Sequence, residues 1–322
     1  MKRSIYLLYT AALLLTLAQA CKQTEIAPVL NDGVAPGPVS NASVVNLSGA
    51  AEIFYELPAD KDVLYVKALY TSRQGEVRET KVSYYNNSIT VVGFGDTSAH
   101  EVTLYAVDKG GNVSPPLAVT VYPEKAPFML VRDSLRTAPD FGGINVTYKN
   151  MEEDNVAIVV ITDDSLGNRV PVNTHYTNLR QGNFSIRDRP PVPTEFGVYV
   201  RDRWGNVSDT LTVTLTPLFE LRLDRTKMRG VTLPTDAPLG YGGSVFGLFD
   251  GSLDGGAYHS SDDARMPQWF TYDMGVTAKL SRLAWFMRPG FYYNLHNPRV
   301  VEIWGSNDPA PDGSFDNWIL LT

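Results

Sequence analysis

Three stretches of this sequence carry side chains whose types and spacing suit a definite chemistry. The first is a set of aromatic, amide and basic groups near the C-terminus: Tyr258-His259, then Arg288, then Phe291-Tyr292-Tyr293-Asn294-Leu295-His296-Asn297. A flat aromatic face stacks on the C–H face of a sugar ring, while amides, arginine or histidine take its hydroxyls in pairs. Three consecutive aromatics cannot all face one core from a strand, because side chains alternate. Tyr258, His259, Arg288, Tyr292, Asn294 and His296 are therefore the candidate ligand-binding residues. The alternative for the Tyr292–His296 loop is ordinary packing.

The second stretch is the loop Asp250-Gly251-Ser252-Leu253-Asp254-Gly255. A glycine-rich loop can turn carbonyls inward beside carboxylates, and hard cations want several oxygens. Asp250 and Asp254 are the candidate calcium ligands; the alternative is a plain loop whose Asp caps its own turn. The third is Cys21, the one cysteine in 322 residues, which excludes a disulfide within the chain. It directly follows Lys2-Arg3, an apolar run from Ile5 to Ala18, and the small-x-small sequence Ala18-Gln19-Ala20. That is the layout of a secretory signal peptide. Cys21 is then the expected lipidation site, with an ordinary cleavage junction as the alternative.

Catalytic signatures are missing. Of the four histidines, His100 and His175 stand apart from His259 and His296, and no His-Glu-x-x-His, Gly-x-Ser-x-Gly or phosphate-loop pattern occurs. A glycosidase needs two carboxylates. The candidate pairs Asp163-Asp164, Asp262-Asp263 and Glu152-Glu153-Asp154 sit among turn residues, where solvated acids are expected. The expectation is a protein that is not an enzyme. The formal charge of −7 and the lack of a basic stripe argue against nucleic acid as a partner.

The elements that hold these groups follow from period-two alternation. Residues 39–123 contain short alternating runs: Ile53 to Leu57, Leu64 to Tyr70, Ile89 to Val92, Val102 to Val107, and Val119 with Val121. About seven short strands with turn signals between them make a sandwich. The pattern repeats in 124–217, with strands at Gly143–Lys149, Val156–Ile161, Phe184–Ile186, Phe196–Val200 and Leu211–Leu215. Tyr105 and Tyr199 are 94 residues apart, as are Asn112 and Asn206, which is the size of one immunoglobulin or fibronectin-type domain. Asp108-Lys109-Gly110-Gly111-Asn112 and Asp202-Arg203-Trp204-Gly205-Asn206 read as tight hairpins rather than calcium sites. The remaining boundaries are a signal peptide at 1–20, an anchor and tether at 21–38, a linker at 218–235 and a last domain at 236–322. In that domain Pro267–Gly275, Leu280–Met287 and Val300–Asp308 read as strands, with Trp269, Trp285, Phe286 and Trp304 in a core.

Four pieces of the last domain resemble the coagulation-factor type C, or discoidin, family, which includes galactose-binding-like modules: Phe249-Asp250-Gly251, Tyr258-His259, Pro267-Gln268-Trp269 running to Asp273-Met274-Gly275, and Gly305 to Asp308. The resemblance implies a β jelly roll whose end loops bind glycans, with a structural ion held by the matching Asp. The stretch from Thr232 to Thr322 is shorter than a jelly roll needs, so an incomplete one is expected. The whole chain resembles uncharacterised Bacteroidetes lipoproteins with two sandwiches and a discoidin-like domain. That likeness rests on Val34-Ala35-Pro36-Gly37, Asp60-Lys61-Asp62, the two Asp-x-x-Gly-Asn turns and Ile303 to Pro309.

The reading is therefore all-β: two tandem immunoglobulin or fibronectin-III-like sandwiches followed by a partial discoidin-like jelly roll. The expected protein is a non-catalytic lipoprotein on the surface of a bacterial outer membrane, capturing an oligosaccharide or polysaccharide beside glycan-uptake proteins. The alternative is a structural or adhesive component that contacts a protein of such a complex.

Overall fold

The computed structural model describes residues 33–71, 75–252, 258–287, 290, 292 and 297–322. The chain divides into two compact units, 1–216 and 217–322. The first unit holds two sandwiches.

In the first sandwich, β1 (Ser40–Leu47), β2 (Ala50–Glu56) and β5 (Ser88–Val92) form one antiparallel sheet. The second sheet has β3 (Val63–Thr71), β4 (Val77–Ser83), β6 (His100–Asp108) and β7 (Leu117–Val121) in the order β4-β3-β6-β7. Alternation places Ile53 and Tyr55 of β2, Val66, Ala68 and Tyr70 of β3, and Val102, Leu104 and Ala106 of β6 in one core. A tyrosine in such a core needs a partner for its hydroxyl. Tyr70 donates to the Val92 carbonyl at 3.0 Å, and Tyr55 to the Asn86 carbonyl at 3.4 Å. Burial pushes the Tyr55 phenol up to about 12.

The second sandwich repeats the plan. One sheet has β8 (Arg136–Asp140), β9 (Gly143–Lys149) and β12 (Gln181–Ile186). The other orders β10 (Val156–Asp163), β11 (Arg169–Thr177), β13 (Thr194–Asp202) and β14 (Leu211–Leu215) as β11-β10-β13-β14. An added helix, α1 (Pro127–Ser134), begins with proline at its first turn, where a missing N–H costs nothing. Phe128 and Val131, three residues apart and so on one face, enter the core with Ile144, Val146, Ile158, Phe196 and Val198.

The two Asp-x-x-Gly-Asn segments are hairpin turns of the same construction. Asp108 Oδ1 accepts the Asn112 amide N–H at 2.8 Å, and Asp202 Oδ1 that of Asn206 at 2.9 Å. The other oxygens accept the Asn112 and Asn206 side-chain N–H groups at 2.9 and 2.8 Å. Gly111 and Gly205 take φ of 84° and 83°, which glycine alone adopts without strain. The second turn does more. The ring of Trp204 lies under the Arg78 guanidinium at 4.7 Å, and the Trp204 carbonyl accepts Arg78 Nη2–H at 3.1 Å. Asn206 Nδ2 also donates to the Gly93 carbonyl at 3.2 Å. These contacts join the sandwiches, as does the backbone pairing of Gly49 with Glu124.

The second unit is built otherwise. Its strands are short: β15 (Arg229–Val231) pairs with β16 (Thr271–Asp273), and β17 (Trp304–Gly305) with β18 (Ile319–Leu320). Among the described residues it has no eight-stranded jelly roll, and its large apolar side chains are half-buried or exposed. Three expectations are corrected. Residues 280–287 form no strand, because among the described residues no strand lies beside them to form a ladder, and alternation alone does not make a strand. Trp285 and Phe286 are 41% and 69% exposed rather than core, since no second layer covers them. Trp269 and Trp304 are half-buried around Phe315, with ring centroids 5.2 and 5.1 Å away. Polar bonds complete the unit: Thr271 Oγ1 donates to Asp236, and Thr235 Oγ1 donates to the Gly313 carbonyl while accepting from Trp269 Nε1.

Candidate functional site

In the second unit two loops press together. Gly240 N–H donates to the His259 carbonyl at 2.9 Å, and Ser261 N–H to the Pro238 carbonyl at 2.7 Å. The approach requires glycine: a Cβ on Gly243 would stand 2.5 Å from the His259 nitrogen, and one on Gly240 would stand 2.7 Å from Ser261 Cα. Between these glycines Tyr241 sits in the left-handed region at φ 53°, 71% exposed. A non-glycine residue there costs energy, and such strain gathers at functional positions.

Tyr241 is held by its neighbours. Its hydroxyl donates to Asp262 Oδ2 at 2.5 Å, and its ring lies 4.7 Å from the His259 ring at 60°. The bond to the Asp262 carboxylate keeps the Tyr241 phenol protonated beyond its ordinary range, and the like charge that ionisation would bring there adds to this. His259 Nδ1 stands 2.8 Å from the Ser260 carbonyl, which can only accept. Nδ1 is thus the protonated nitrogen, and Nε2 carries the lone pair. Ser260 Oγ donates to Gln268 Oε1 at 2.8 Å, which fixes the amide beside the same loop. The result is an exposed aromatic face, a carboxylate, an imidazole acceptor and an amide on a rigid frame.

The expected site residues fall as follows. His259 is exposed in this cluster. Tyr258, its neighbour in sequence, turns inward against Phe270 at 4.6 Å, and burial, with Asp236 close by, raises its phenol. Its hydroxyl is buried without a partner among the described residues. Tyr292 is 57% exposed. Arg288, Asn294, His296, Asp254 and Cys21 lie outside the described residues. Tyr241 and Asp262 were not in the expected binding set. The signal for Tyr241 was a lone aromatic in Leu239-Gly240-Tyr241-Gly242-Gly243, where glycines leave a ring nothing to pack on.

The described residues do not by themselves make a calcium site. Asp250 Oδ1 accepts the Ser252 amide N–H at 2.7 Å, so the carboxylate caps its own turn. The Arg225 guanidinium packs against Gly251, where an added Cβ would lie 2.2 Å from Nη1, so a cation already stands beside the loop. Among the described residues no three His, Cys, Asp or Glu side chains gather as metal ligands. Several of the candidate acids outside the cluster are engaged in turns and ion pairs. Asp164 caps its own loop through Leu166 and Asn168, Asp163 pairs with Arg169 at 3.3 Å, and Glu153 pairs with Arg180 at 3.6 Å. A shallow depression lined by Thr226, Lys227, Arg229 and Gly275 has no aromatic wall.

Three segments match models of domains of unknown function: 36–123 matches DUF4959, 124–226 matches DUF5126, and 249–322 matches DUF5000. No curated protein matches the chain. Among solved structures, SusE-like protein BT2857 is similar at 31% identity, over 60% of this chain and 74% of that one, with a TM-score of 0.34. A two-domain fibronectin type III segment of chicken tenascin is similar at 14% identity, over 56% of this chain and 99% of that one, with a TM-score of 0.26. The three fibronectin domains FN1–FN3 of chicken CNTN1 are similar at 13% identity, over 57% and 68%, with a TM-score of 0.27.

Proposed function

We propose that the chain, which is similar to SusE-like protein BT2857, is a non-catalytic surface component of an outer-membrane glycan-uptake system. Saccharide binds at the cluster of Tyr241, His259 and Asp262. One observation carries this reading: an exposed tyrosine, held in a strained backbone state, with its phenol tied to a carboxylate and its ring edge set by a histidine. A sugar ring stacks on the open face of Tyr241. Asp262 retains acceptor capacity for a hydroxyl, and His259 Nε2 accepts from another. The carboxylate is engaged by the phenol rather than facing a second acid, so the cluster lacks the paired acids of a glycosidase.

Anchorage is part of the proposal. Lipidation of Cys21 would hold the chain at the membrane, each buried methylene contributing about 0.8 kcal/mol. Among the described residues no helix is long and apolar enough to cross a membrane. The sandwiches, joined through Trp204, serve as a stiff spacer.

A second reading has its own observation. Residues 285–286, Met266 and Val300 leave large apolar side chains exposed on the second unit, as a surface that contacts a protein partner does. A screen of the chain against immobilised plant and microbial polysaccharides separates the two. The glycan reading expects retention that Tyr241→Ala weakens markedly without lowering the melting temperature. A chain that is folded, retained by no polysaccharide and recovered with an outer-membrane transporter would replace it with the adhesive reading.

A further inference from the structure

The loop that crosses from β4 in one sheet to β5 in the other carries Tyr84-Tyr85-Asn86-Asn87 at its tip, and all four residues are exposed, Tyr85 by 82%. Consecutive residues of a strand point to opposite faces. Here the turn brings both rings to one side, with centroids 4.1 Å apart and planes inclined at 32°. The backbone beneath is tied down on three sides. Tyr84 N–H donates to the Leu64 carbonyl of β3 at 3.2 Å, and Asn86 N–H to the Ser83 carbonyl of β4 at 2.9 Å. Tyr55 N–H of β2 donates to the Asn87 carbonyl at 3.0 Å. Two rings and two amides are thereby presented on a rigid support, so binding would cost little ordering entropy. The four residues of the tip carry no formal charge, and nearby Glu79 is shared by Lys81 at 2.6 Å and Lys67 at 3.9 Å. The same residue types recur in order at Tyr292-Tyr293-Asn294, within the set whose chemistry suits a sugar.

We infer that this tip is a second saccharide-binding site, on the first sandwich, for a neutral pyranose of a glycan chain. The ring stacks on Tyr85, which Tyr84 buttresses, and the side-chain amides of Asn86 and Asn87 take adjacent hydroxyls. The inference rests on the glycan reading of the function but not on the Tyr241 cluster.

The test is native electrophoresis of the full chain through gels containing xylan, xyloglucan, mannan, arabinogalactan or amylopectin. The variants are Tyr84→Ala with Tyr85→Ala, Tyr85→Trp, Tyr241→Ala, and all three alanine changes together. Tyr84 and Tyr85 are exposed, so the melting temperature should not move. In the gel that retards the parent chain, the paired alanine change should weaken retardation by about two- to tenfold. Tyr85→Trp should keep retardation or strengthen it, and the triple change should abolish what Tyr241→Ala leaves. Retardation that Tyr84→Ala with Tyr85→Ala leaves unchanged, while Tyr241→Ala removes it, overturns the second site and leaves the proposed function standing. A folded chain that no gel retards overturns both.

Discussion

Residues 39–216 and residues 217–322 use similar side chains to opposite effect. In the first stretch every long alternating run finds a second sheet to face, and Ile53, Val66, Leu104, Ile144, Ile158 and Phe196 become fully buried. In the second stretch the described backbone forms two short strand pairs, and aromatic rings meet in small groups around Phe315 and Tyr272. The difference teaches that alternation is only half of a strand. The other half is a neighbour to receive its hydrogen bonds and a layer to receive its apolar face. It also shows where binding chemistry can collect. Backbone bound into sheets commits its side chains to core or solvent, whereas the loops at 238–243 and 259–262 leave Tyr241, His259 and Asp262 free to converge.

The contrast breaks most visibly in stability. Phe196→Ala removes a fully buried ring from the second sandwich and should cost about 3–5 kcal/mol. Phe286→Ala, at 69% exposure, should stay within about 0.5 kcal/mol. Denaturant titration of both variants checks this, and comparable losses would refute the contrast. The next effect concerns the paired turns. Asn112→Ala and Asn206→Ala each remove the same turn bond and a second one, to the Val34 carbonyl at 3.4 Å in an exposed position for Asn112 and to the Gly93 carbonyl at 3.2 Å in a buried position for Asn206. Asn206→Ala should therefore be the more destabilising by about 1 kcal/mol, read in the same titration.

A smaller effect distinguishes the histidines. His175 is stacked on Phe184 at 4.4 Å and partly buried, which lowers its folded pKa below the ordinary value of 6.5. A depressed histidine adds stability that is complete above the unfolded pKa and is lost as pH falls through the folded one. Thermal melting of the first unit should therefore decline below about pH 6.5. His175→Gln should flatten that part of the profile, and an unchanged slope would show that His175 is not its source.

Much of the first unit was legible in the sequence, for a physical reason. Ile53, Tyr55, Leu64 to Tyr70 and Val102 to Val107 alternate because one face is buried, and the Asp, Gly and Asn of the turns are what a tight hairpin requires. Helix α1 escaped notice because eight residues with only Phe128 and Val131 facing the core make too short a 3.6-residue period to stand out. Strand β11 escaped because its Asn173, Thr174 and His175 are polar and it is an edge strand, covered on one side only. In the second unit Leu280 to Met287 alternate, yet among the described residues they enter no strand ladder, so the pattern misled. Of the site, His259 could be singled out by its residue type. Tyr241 stood out only as a lone aromatic among glycines, and its link to Asp262 could not be read, because it is a tertiary contact across 21 residues.

The most direct test of the account is titration calorimetry of the full chain with the polysaccharide that retains it, alongside Tyr241→Ala and His259→Ala. The account predicts saturable binding by the parent chain. Tyr241→Ala should weaken it at least tenfold and His259→Ala less so, with the melting of each variant unchanged. Binding that survives Tyr241→Ala at full strength would contradict it.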